Sequence, residues 1–123
     1  MADASDVRRI ALSFPEAVQR NSSFDVHDKG FAWFYPEKVP GQRGRVERMD
    51  VLVVRIADEG EKAALLAADP EKFFTTPHYN GYPAILVRLP AIDTDELTEL
   101  LSDAWHLRAP KKLVTEFDAQ NRP

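Results

Sequence analysis

Residues 73–89 read Phe-Phe-Thr-Thr-Pro-His-Tyr-Asn-Gly-Tyr-Pro-Ala-Ile-Leu-Val-Arg-Leu, an aromatic and polar turn that leads directly into an apolar strand. The Asn-Gly pair at residues 80–81 is a turn signal. Ile85, Val87 and Leu89 alternate as residues on one buried strand face do. Because loops on a rigid scaffold commonly carry function, this stretch predicts a binding surface directly beside the hydrophobic core.

Two β-prone runs nearer the N-terminus predict a hairpin. Residues 24–27 and 31–35 are joined by residues 28–30, Asp-Lys-Gly, where glycine suits the positive φ of a tight link. A side-chain period of two places Phe31 and Trp33 on the same face of the second strand. Both faces of this strand carry aromatic bulk, so we expect at least one of them to be covered.

A second hairpin follows in the sequence. Residues 51–56, Val-Leu-Val-Val-Arg-Ile, have a strong strand pattern. Residues 36–49 precede them and contain two prolines and two glycines without hydrophobic periodicity. This composition predicts a long loop between the two strands of the hairpin.

Capping residues and apolar spacing predict the helices. The N-terminal helix has Asp3 or Ser5 as its N-cap and ends at Pro15, while Asp58 and Asp93 each begin a further helix. The helix after Asp93 has the apolar spacing of a core-facing helix, at Leu97, Leu100, Leu101, Ala104 and Trp105. A proline then separates it from a last helical stretch.

The order of these elements predicts the fold class. Strands that are neighbours in sequence pair as hairpins, and helices stand at both ends of the chain. We therefore expect an α+β fold, a mainly antiparallel sheet backed by the N- and C-terminal helices. With 123 residues and 44% hydrophobic content, the chain suffices for one domain, which we assign to residues 1–119, with a frayed tail at residues 120–123.

Composition excludes several classes of protein. The chain has no cysteine, which excludes disulfide frameworks, thiolate catalysis and metal sites built on cysteine. No apolar run approaches the roughly 18 residues of a membrane span. Asp3 and Asp6 do not fit the basic region of a signal peptide, so we expect a cytoplasmic location and no membrane partner.

Charge is unevenly distributed along the chain. The formal net charge of −4 has the wrong sign for broad neutralisation of phosphates. Residues 29–55 nevertheless hold six basic and three acidic side chains, whereas residues 56–104 hold three basic and ten acidic ones. This asymmetry is consistent with one localised basic surface, and ordinary charge mixing on a solvated surface gives the same pattern.

A series of short strings resembles the MmcQ/YjbR family of small bacterial proteins. They are Leu-Leu-Ala-Ala-Asp-Pro at 65–70, Thr-Pro-His-Tyr at 76–79, Leu-Val-Arg-Leu at 86–89, Ala-Trp at 104–105 and Ala-Pro-Lys at 109–111. With Ile-Ala-Leu at 10–12 and Phe-Ala-Trp at 31–33, the resemblance covers nearly the whole chain. It implies a fold similar to the CyaY/frataxin group and DNA binding through a double-wing arrangement of hairpins. Residues 40–45 form a longer loop than the tight turn common in the family.

Two binding hypotheses follow, and both describe a non-enzymatic protein without a cofactor. In the first, DNA phosphates contact basic side chains of the long loop and of the segment after Pro110, namely Arg43, Arg45, Arg48, Lys111 and Lys112. In the second, a small molecule or a protein binds a pocket of aromatic and imidazole side chains, formed by Trp33, His78, Tyr79, Tyr82 and Trp105.

Catalytic and metal-binding motifs are weak. Thr75, Thr76 and Ser102 lack the elbow motif of a nucleophile. The three histidines have separations that match no helical metal pair. An acidic iron-binding surface is a third hypothesis, but acids in the first turns of two helices have a simpler role, because they cap those helices and complement their dipoles. We therefore predict no catalytic residue and no metal site.

Overall fold

One antiparallel sheet of six strands organises the molecule, and four helices add apolar side chains to the core on one of its faces. The computed structural model describes residues 1–38, 40–41 and 43–121. The strands follow the spatial order β1-β2-β3-β4-β6-β5, and every neighbouring pair is antiparallel. The predicted α+β fold is confirmed.

The helices and strands have the following bounds. The helices are α1 (Ala4–Ala11), α2 (Glu59–Ala68), α3 (Thr94–Arg108) and α4 (Lys111–Gln120). The strands are β1 (Ala17–Arg20), β2 (Ser23–Val26), β3 (Lys29–Lys38), β4 (Arg45–Arg55), β5 (Phe73–Phe74) and β6 (Ala84–Arg88). Short 3-10 turns lie at Pro77–Tyr79 and Leu89–Ala91. Of the predicted tail, residue 120 ends α4, and residues 122–123 lie outside the described residues.

Three aspartates begin helices as the sequence predicted. The side chains of Asp3, Asp58 and Asp93 accept hydrogen bonds of 3.0, 2.9 and 2.7 Å from backbone amides three residues later. Each bond satisfies an amide that has no partner within its helix, which is worth about 1 kcal/mol at a typical N-cap. No helix of the described residues is both long and apolar enough to cross a membrane.

The β2–β3 hairpin differs from the prediction at its turn and at Phe31. The turn is made by His27 and Asp28, with φ of 48° and 67°, and not by residues 28–30. Phe24 pairs with Ala32, whereas the next residue, Asp25, pairs with Gly30. Phe31 is therefore left between these two pairs as an extra residue in β3. Such a bulge breaks the period of two. Phe31 therefore lies in the helix-side core, and the prediction that it shares a face with Trp33 is wrong.

The β3–β4 hairpin is mostly strand where a long loop was predicted. Lys38 pairs with Arg45, so the connection spans only residues 39–44, of which 39 and 42 lie outside the described residues. Residues 45–50 are largely exposed, and a strand buried on neither face shows no alternation of apolar and polar side chains. Arg45 and Arg48 consequently lie on β4 and not on a loop.

A pair of substitutions tests the bulge at Phe31. Phe31→Ala removes a fully buried side chain from the helix-side core and should cost about 3–5 kcal/mol of unfolding free energy. Tyr35→Ala, at a half-buried position on the other face, should cost nearer 1 kcal/mol. Urea unfolding followed by tryptophan fluorescence measures both values. Equal costs would contradict the burial of Phe31 in the helix-side core, which is the consequence of the bulge.

Candidate ligand-binding face of the sheet

The face of the sheet opposite the helices is only partly covered. Its buried centre consists of Val51, Val53, Tyr79, Ala84 and Leu86, with Trp33, Tyr35 and Phe74 packed half-buried around it. We call this surface the open face. Its cover is the loop at residues 75–83, which leads from β5 to β6. Apolar strand side chains therefore lie next to solvent where this loop ends.

Tyr79 divides the open face into two parts. Its side chain is 6% exposed, and its hydroxyl accepts a 3.1 Å hydrogen bond from Trp33 Nε1. The ring centroid lies 6.3 Å from that of Tyr35 on one side and 6.1 Å from that of Tyr82 on the other. This separation suits edge-on aromatic packing, which adds to the area that the rings bury. Tyr79 thus lies between two depressions: it lines one of them and packs against Tyr35, which lines the other.

Lys62 of α2 fixes the loop in place. Its side chain is buried, and Nζ donates to the carbonyl oxygens of Tyr79 at 2.5 Å and Tyr82 at 3.0 Å. A buried amine needs such acceptors, because burial without a partner is costly. The helical pattern alone gives no sign of this role, since a lysine among the glutamates and alanines of α2 reads as a solvent-facing residue.

The smaller depression contains four of the five residues predicted for the aromatic pocket. Trp33, His78, Tyr79 and Tyr82 line a volume of about 270 Å³. The His78 ring stands edge-on to Tyr79, with 5.0 Å between centroids. Arg55 donates to the Tyr82 hydroxyl at 3.0 Å and lies 5.2 Å from the centre of that ring. Most polar groups here are engaged with neighbouring side chains.

Trp105 does not belong to this pocket, and that part of the prediction is wrong. Its side chain is fully buried in the helix-side core, where it stacks on Phe14 at 5.9 Å and donates to the Pro15 carbonyl at 3.2 Å. Trp33 lies on the open face, so the sheet separates the two indoles. Apolar spacing on α3 predicted the burial of Trp105, but it gave no information about which face of the sheet the helix covers.

The larger depression, which we call the groove, lies beyond Tyr35 and has a volume of about 670 Å³. Its lining consists of Tyr35, Glu37, Lys38, Arg48, Asp50, Val51, Phe74, Arg88, Pro90 and Ala91. Of these residues, the sequence predicted only Arg48 as a site residue, and it predicted Arg48 as a contact for DNA phosphates. Val51 and Arg88 are direct partners in the β4–β6 register, so adjacent strands bring the lining together.

Arg48 forms an ion-paired cluster at the rim of the groove. Its Nε and Nη2 donate to Asp50 at 3.0 and 2.9 Å, and its Nη1 donates to Glu37. The hydrogen bonds that Arg48 donates to Asp50 and Glu37 raise the pKa of its guanidinium, and the same bond to Asp50 lowers the pKa of that carboxyl group. Two carboxylates bind the guanidinium, so Arg48, which was predicted to contact phosphate, is already paired within the protein.

Arg88 is held differently on the other side of the groove. Its guanidinium carbon lies 4.0 Å from the centre of the Phe74 ring, a cation–π contact. Nη1 donates to the carbonyl oxygens of Pro70 and Glu71 at 3.3 and 3.2 Å. Neutral carbonyls orient the side chain without offsetting its charge.

The predicted basic residues do not form one surface. Arg45 is the partner of Lys38 at the far end of β3. At the start of β3, Arg108 donates to the Gly30 carbonyl at 3.3 Å, which fixes the end of α3 there. Lys38 is eight residues after Gly30 along β3, which corresponds to about 26 Å at 3.3 Å per residue.

The two lysines of α4 accordingly lie near the beginning of β3. Lys111 and Lys112 are in the first turn of α4, directly after the end of α3. Lys112 lines a shallow depression together with His27, which is in the β2–β3 turn. A common DNA face made of these lysines with Arg43 and Arg45 is therefore not supported by the fold.

Ser102, His106 and Asp118 approach one another in an arrangement that resembles a hydrolytic triad. His106 Nε2 lies 2.8 Å from Asp118 Oδ1, and Nδ1 lies 3.4 Å from the Ser102 hydroxyl. Nδ1 is much closer, at 2.7 Å, to the Ser102 carbonyl oxygen, which can only accept a hydrogen bond. With acceptors at both ring nitrogens, His106 acts as a double donor and is not a base for Ser102. Its role is to join α3 to α4.

Metal-ligating side chains do not converge within residues 1–38, 40–41 and 43–121. No group of three or more His, Asp or Glu side chains there has the arrangement of a metal site. Asp58 and Asp93, two of the acids compared with an iron-binding surface, are N-caps of α2 and α3.

Known proteins resemble this chain over most of its length. The family model described as YjbR matches residues 12–107. Two uncharacterized proteins, from Mycobacterium tuberculosis and Mycobacterium bovis, are each 41% identical, with 98% of this chain and 99% of each relative aligned. The crystal structure of a Deinococcus radiodurans protein with a DUF419 domain has a TM-score of 0.66 at 19% identity, covering 96% of this chain and 89% of that one. This last likeness shows a shared fold.

The His106 bridge predicts a pH dependence of stability. Partial burial lowers the pKa of His106, but the bonds to Asp118 and to the Ser102 carbonyl, with the charge of Asp103, outweigh it and raise the pKa above its ordinary value of 6.5. The imidazolium therefore stabilises the folded state fully below pH 6.5, and this contribution is lost as pH rises through the folded-state pKa. Proton NMR titration of His106 measures that pKa.

Asp118→Asn should lower the pKa of His106 and flatten the pH dependence of urea unfolding in the same range. Glu116→Gln, at an exposed acid on the same helix, is the matched control and should leave both unchanged. A His106 pKa that does not respond to Asp118→Asn would show that the bridge is absent in solution.

Proposed function

The chain belongs to the YjbR family, and we propose that it is a non-enzymatic binding protein whose ligand occupies the groove on the open face. The observation that supports this proposal is the incomplete cover of the sheet. Val51 and Phe74 belong to the apolar cluster of the open face, and both also line a groove that is open to solvent. Filling the groove would remove the exposed apolar surface of the half-buried Phe74 and Tyr35 side chains from water, at about 25 cal/mol per Å².

Volume favours the groove over the smaller depression. Sites for small molecules typically enclose roughly 300–1,000 Å³. The groove, at about 670 Å³, falls inside this range, and the depression between Trp33 and His78, at about 270 Å³, falls below it. Tyr79 belongs to the smaller site but is committed to the core through its hydrogen bond with Trp33.

The chemistry of the groove suits binding better than catalysis. Asp50 is held by Arg48, which lowers its pKa and makes it a poor proton donor near neutral pH. Glu37 accepts from the same guanidinium. Histidine, the residue that most often acts as an acid or base, is absent from the groove lining, since His78 stands on the far side of Tyr79. These features favour the binding of a ligand over the catalysis of a reaction.

A neutral fluorescent probe tests the proposed site. N-phenylnaphthylamine should bind the protein with increased fluorescence, because its rings fill an apolar groove. Ala91→Trp places an indole at the exposed rim of the groove and should weaken binding at least about tenfold, a loss of some 1.4 kcal/mol. Ala67→Trp, the same change at an exposed site on α2, is the control and should bind as the original chain does. Absence of binding, or equal binding by both variants, would contradict the proposal.

Duplex DNA is a second candidate ligand, because the outer end of the β3–β4 hairpin is exposed and basic. Lys38, Arg43 and Arg45 are exposed there, and the hairpin extends beyond the part of β3 that contacts the core. Against this, Arg48 is paired with two carboxylates and the formal net charge is −4. The hairpin end, without the lysines of α4, is the surface to test.

Fluorescence anisotropy of a labelled mixed-sequence duplex, at low and near-physiological salt, measures this candidate function. If the hairpin contacts phosphates, Arg43→Ala with Arg45→Ala should weaken binding and reduce the salt slope by up to about 2. Lys111→Ala with Lys112→Ala, at the opposite end of β3, should have little effect. No binding at low salt, or equal losses in the two double variants, would contradict recognition by the hairpin.

A further inference from the structure

The walls of the groove combine aromatic surface with two cations, Lys38 and Arg88, that are paired with no carboxylate within the described residues. Tyr35 stands on β3, Val51 on β4 and Arg88 on β6. Val51 is the direct partner of Arg88, whereas Tyr35 pairs with Arg48 on β4, next to an irregularity in the β3–β4 register. Tyr35 and Arg88 thus stand on the two strands that flank β4, whose backbones are about 10 Å apart at the usual spacing of about 4.8 Å between neighbouring strands. One or two fused planar rings fit this width when they lie over Val51.

The charges in the lining favour an anion. Lys38, Arg48 and Arg88 face two acids, Glu37 and Asp50, so the lining has a surplus of one positive charge on a chain whose net charge is −4. Both acids are bonded to Arg48, which leaves Arg88 and Lys38 as the available cations. Within the described part of the chain, the hydrogen bonds of Arg88 use only Nη1, so Nε and Nη2 keep their donors for a ligand.

Arg88 is also preorganised for this role. The carbonyls of Pro70 and Glu71 fix one edge of the guanidinium, and the Phe74 ring supports its face. A guanidinium that is already oriented loses little side-chain entropy when it binds a carboxylate, sulfonate or phosphate group. The neighbouring Phe74 and Tyr35 rings supply surface for stacking on an aromatic ligand.

We propose that the groove is selective for a small aromatic anion, with the acidic group on Arg88 and the ring system over Val51 between Tyr35 and Phe74. This inference rests on the proposed function, and it adds the charge and shape of the ligand. Lys38 at the rim contributes a second, longer-range attraction.

Two probes of nearly the same shape test the selectivity. Anilinonaphthalene sulfonate carries an anionic group that N-phenylnaphthylamine lacks, and the fluorescence of both increases on binding. The folded protein should bind the sulfonate at least about tenfold more tightly than the neutral probe, and Arg88→Met should remove most of this difference while retaining the neutral probe. Arg20→Met, on the edge strand β1 outside the groove, is the matched control and should leave both affinities unchanged. Ala91→Trp should weaken the binding of both probes, and this result would place both probes in the groove.

The outcomes separate the two proposals. Equal affinity for both probes, or a sulfonate affinity that Arg88→Met does not change, would overturn the selectivity and leave the groove as a binding site. No binding of either probe would overturn the proposed function itself. If Arg88→Met loses both probes, Arg88→Lys decides: retained sulfonate binding supports the ionic contact, and lost binding overturns it.

Discussion

The fold depends on a sheet that is apolar on both faces but has helices on only one. The strands β3, β4 and β6 place Phe34, Leu52 and Ile85 against the helices, and the alternate positions Trp33, Val53 and Leu86 on the open face. Antiparallel sheets commonly leave a polar face to water. Here the second face is apolar, so it needs a cover, and a single loop supplies that cover over its centre.

The loop can cover the sheet because two contacts fix it from opposite sides. Trp33 donates from the sheet to the Tyr79 hydroxyl, and Lys62 donates from α2 to the Tyr79 and Tyr82 carbonyls. The buried amine of Lys62 is bonded to these loop carbonyls, and it would be costly to leave this amine without a partner. The position of α2 and the position of the loop therefore depend on each other. The cover ends where the Tyr79 ring packs beside Tyr35, and the groove is the surface beyond Tyr35 that the loop leaves uncovered. The apolar second face therefore accounts both for the packing of the loop and for the groove in which we propose that a ligand binds.

Electrostatics divides the polar residues by role. Arg48 and Arg88 both border the groove, but Arg48 is enclosed by carboxylates and Arg88 by carbonyl oxygens and an aromatic ring. The carboxylates offset the positive charge of Arg48, whereas the carbonyl oxygens and the ring leave Arg88 with its positive charge. His106, with acceptors at both ring nitrogens, joins two helices in the same way that Arg48 joins two strands. A titratable residue near a serine or an acid is therefore not sufficient to indicate catalysis.

The sequence by itself determined the elements that depend on local physics. Helix starts at Asp3, Asp58 and Asp93 follow from side-chain oxygens that reach nearby amides, and the buried stripe of α3 follows from its apolar spacing. Only the tertiary structure decided the bulge at Phe31, the separation of Trp105 from Trp33, the buried role of Lys62, and the meeting of Tyr35, Phe74 and Arg88 in one groove. Each of these depends on strand register or on contacts between residues far apart in the chain, and neither spacing nor composition encodes which strands become neighbours.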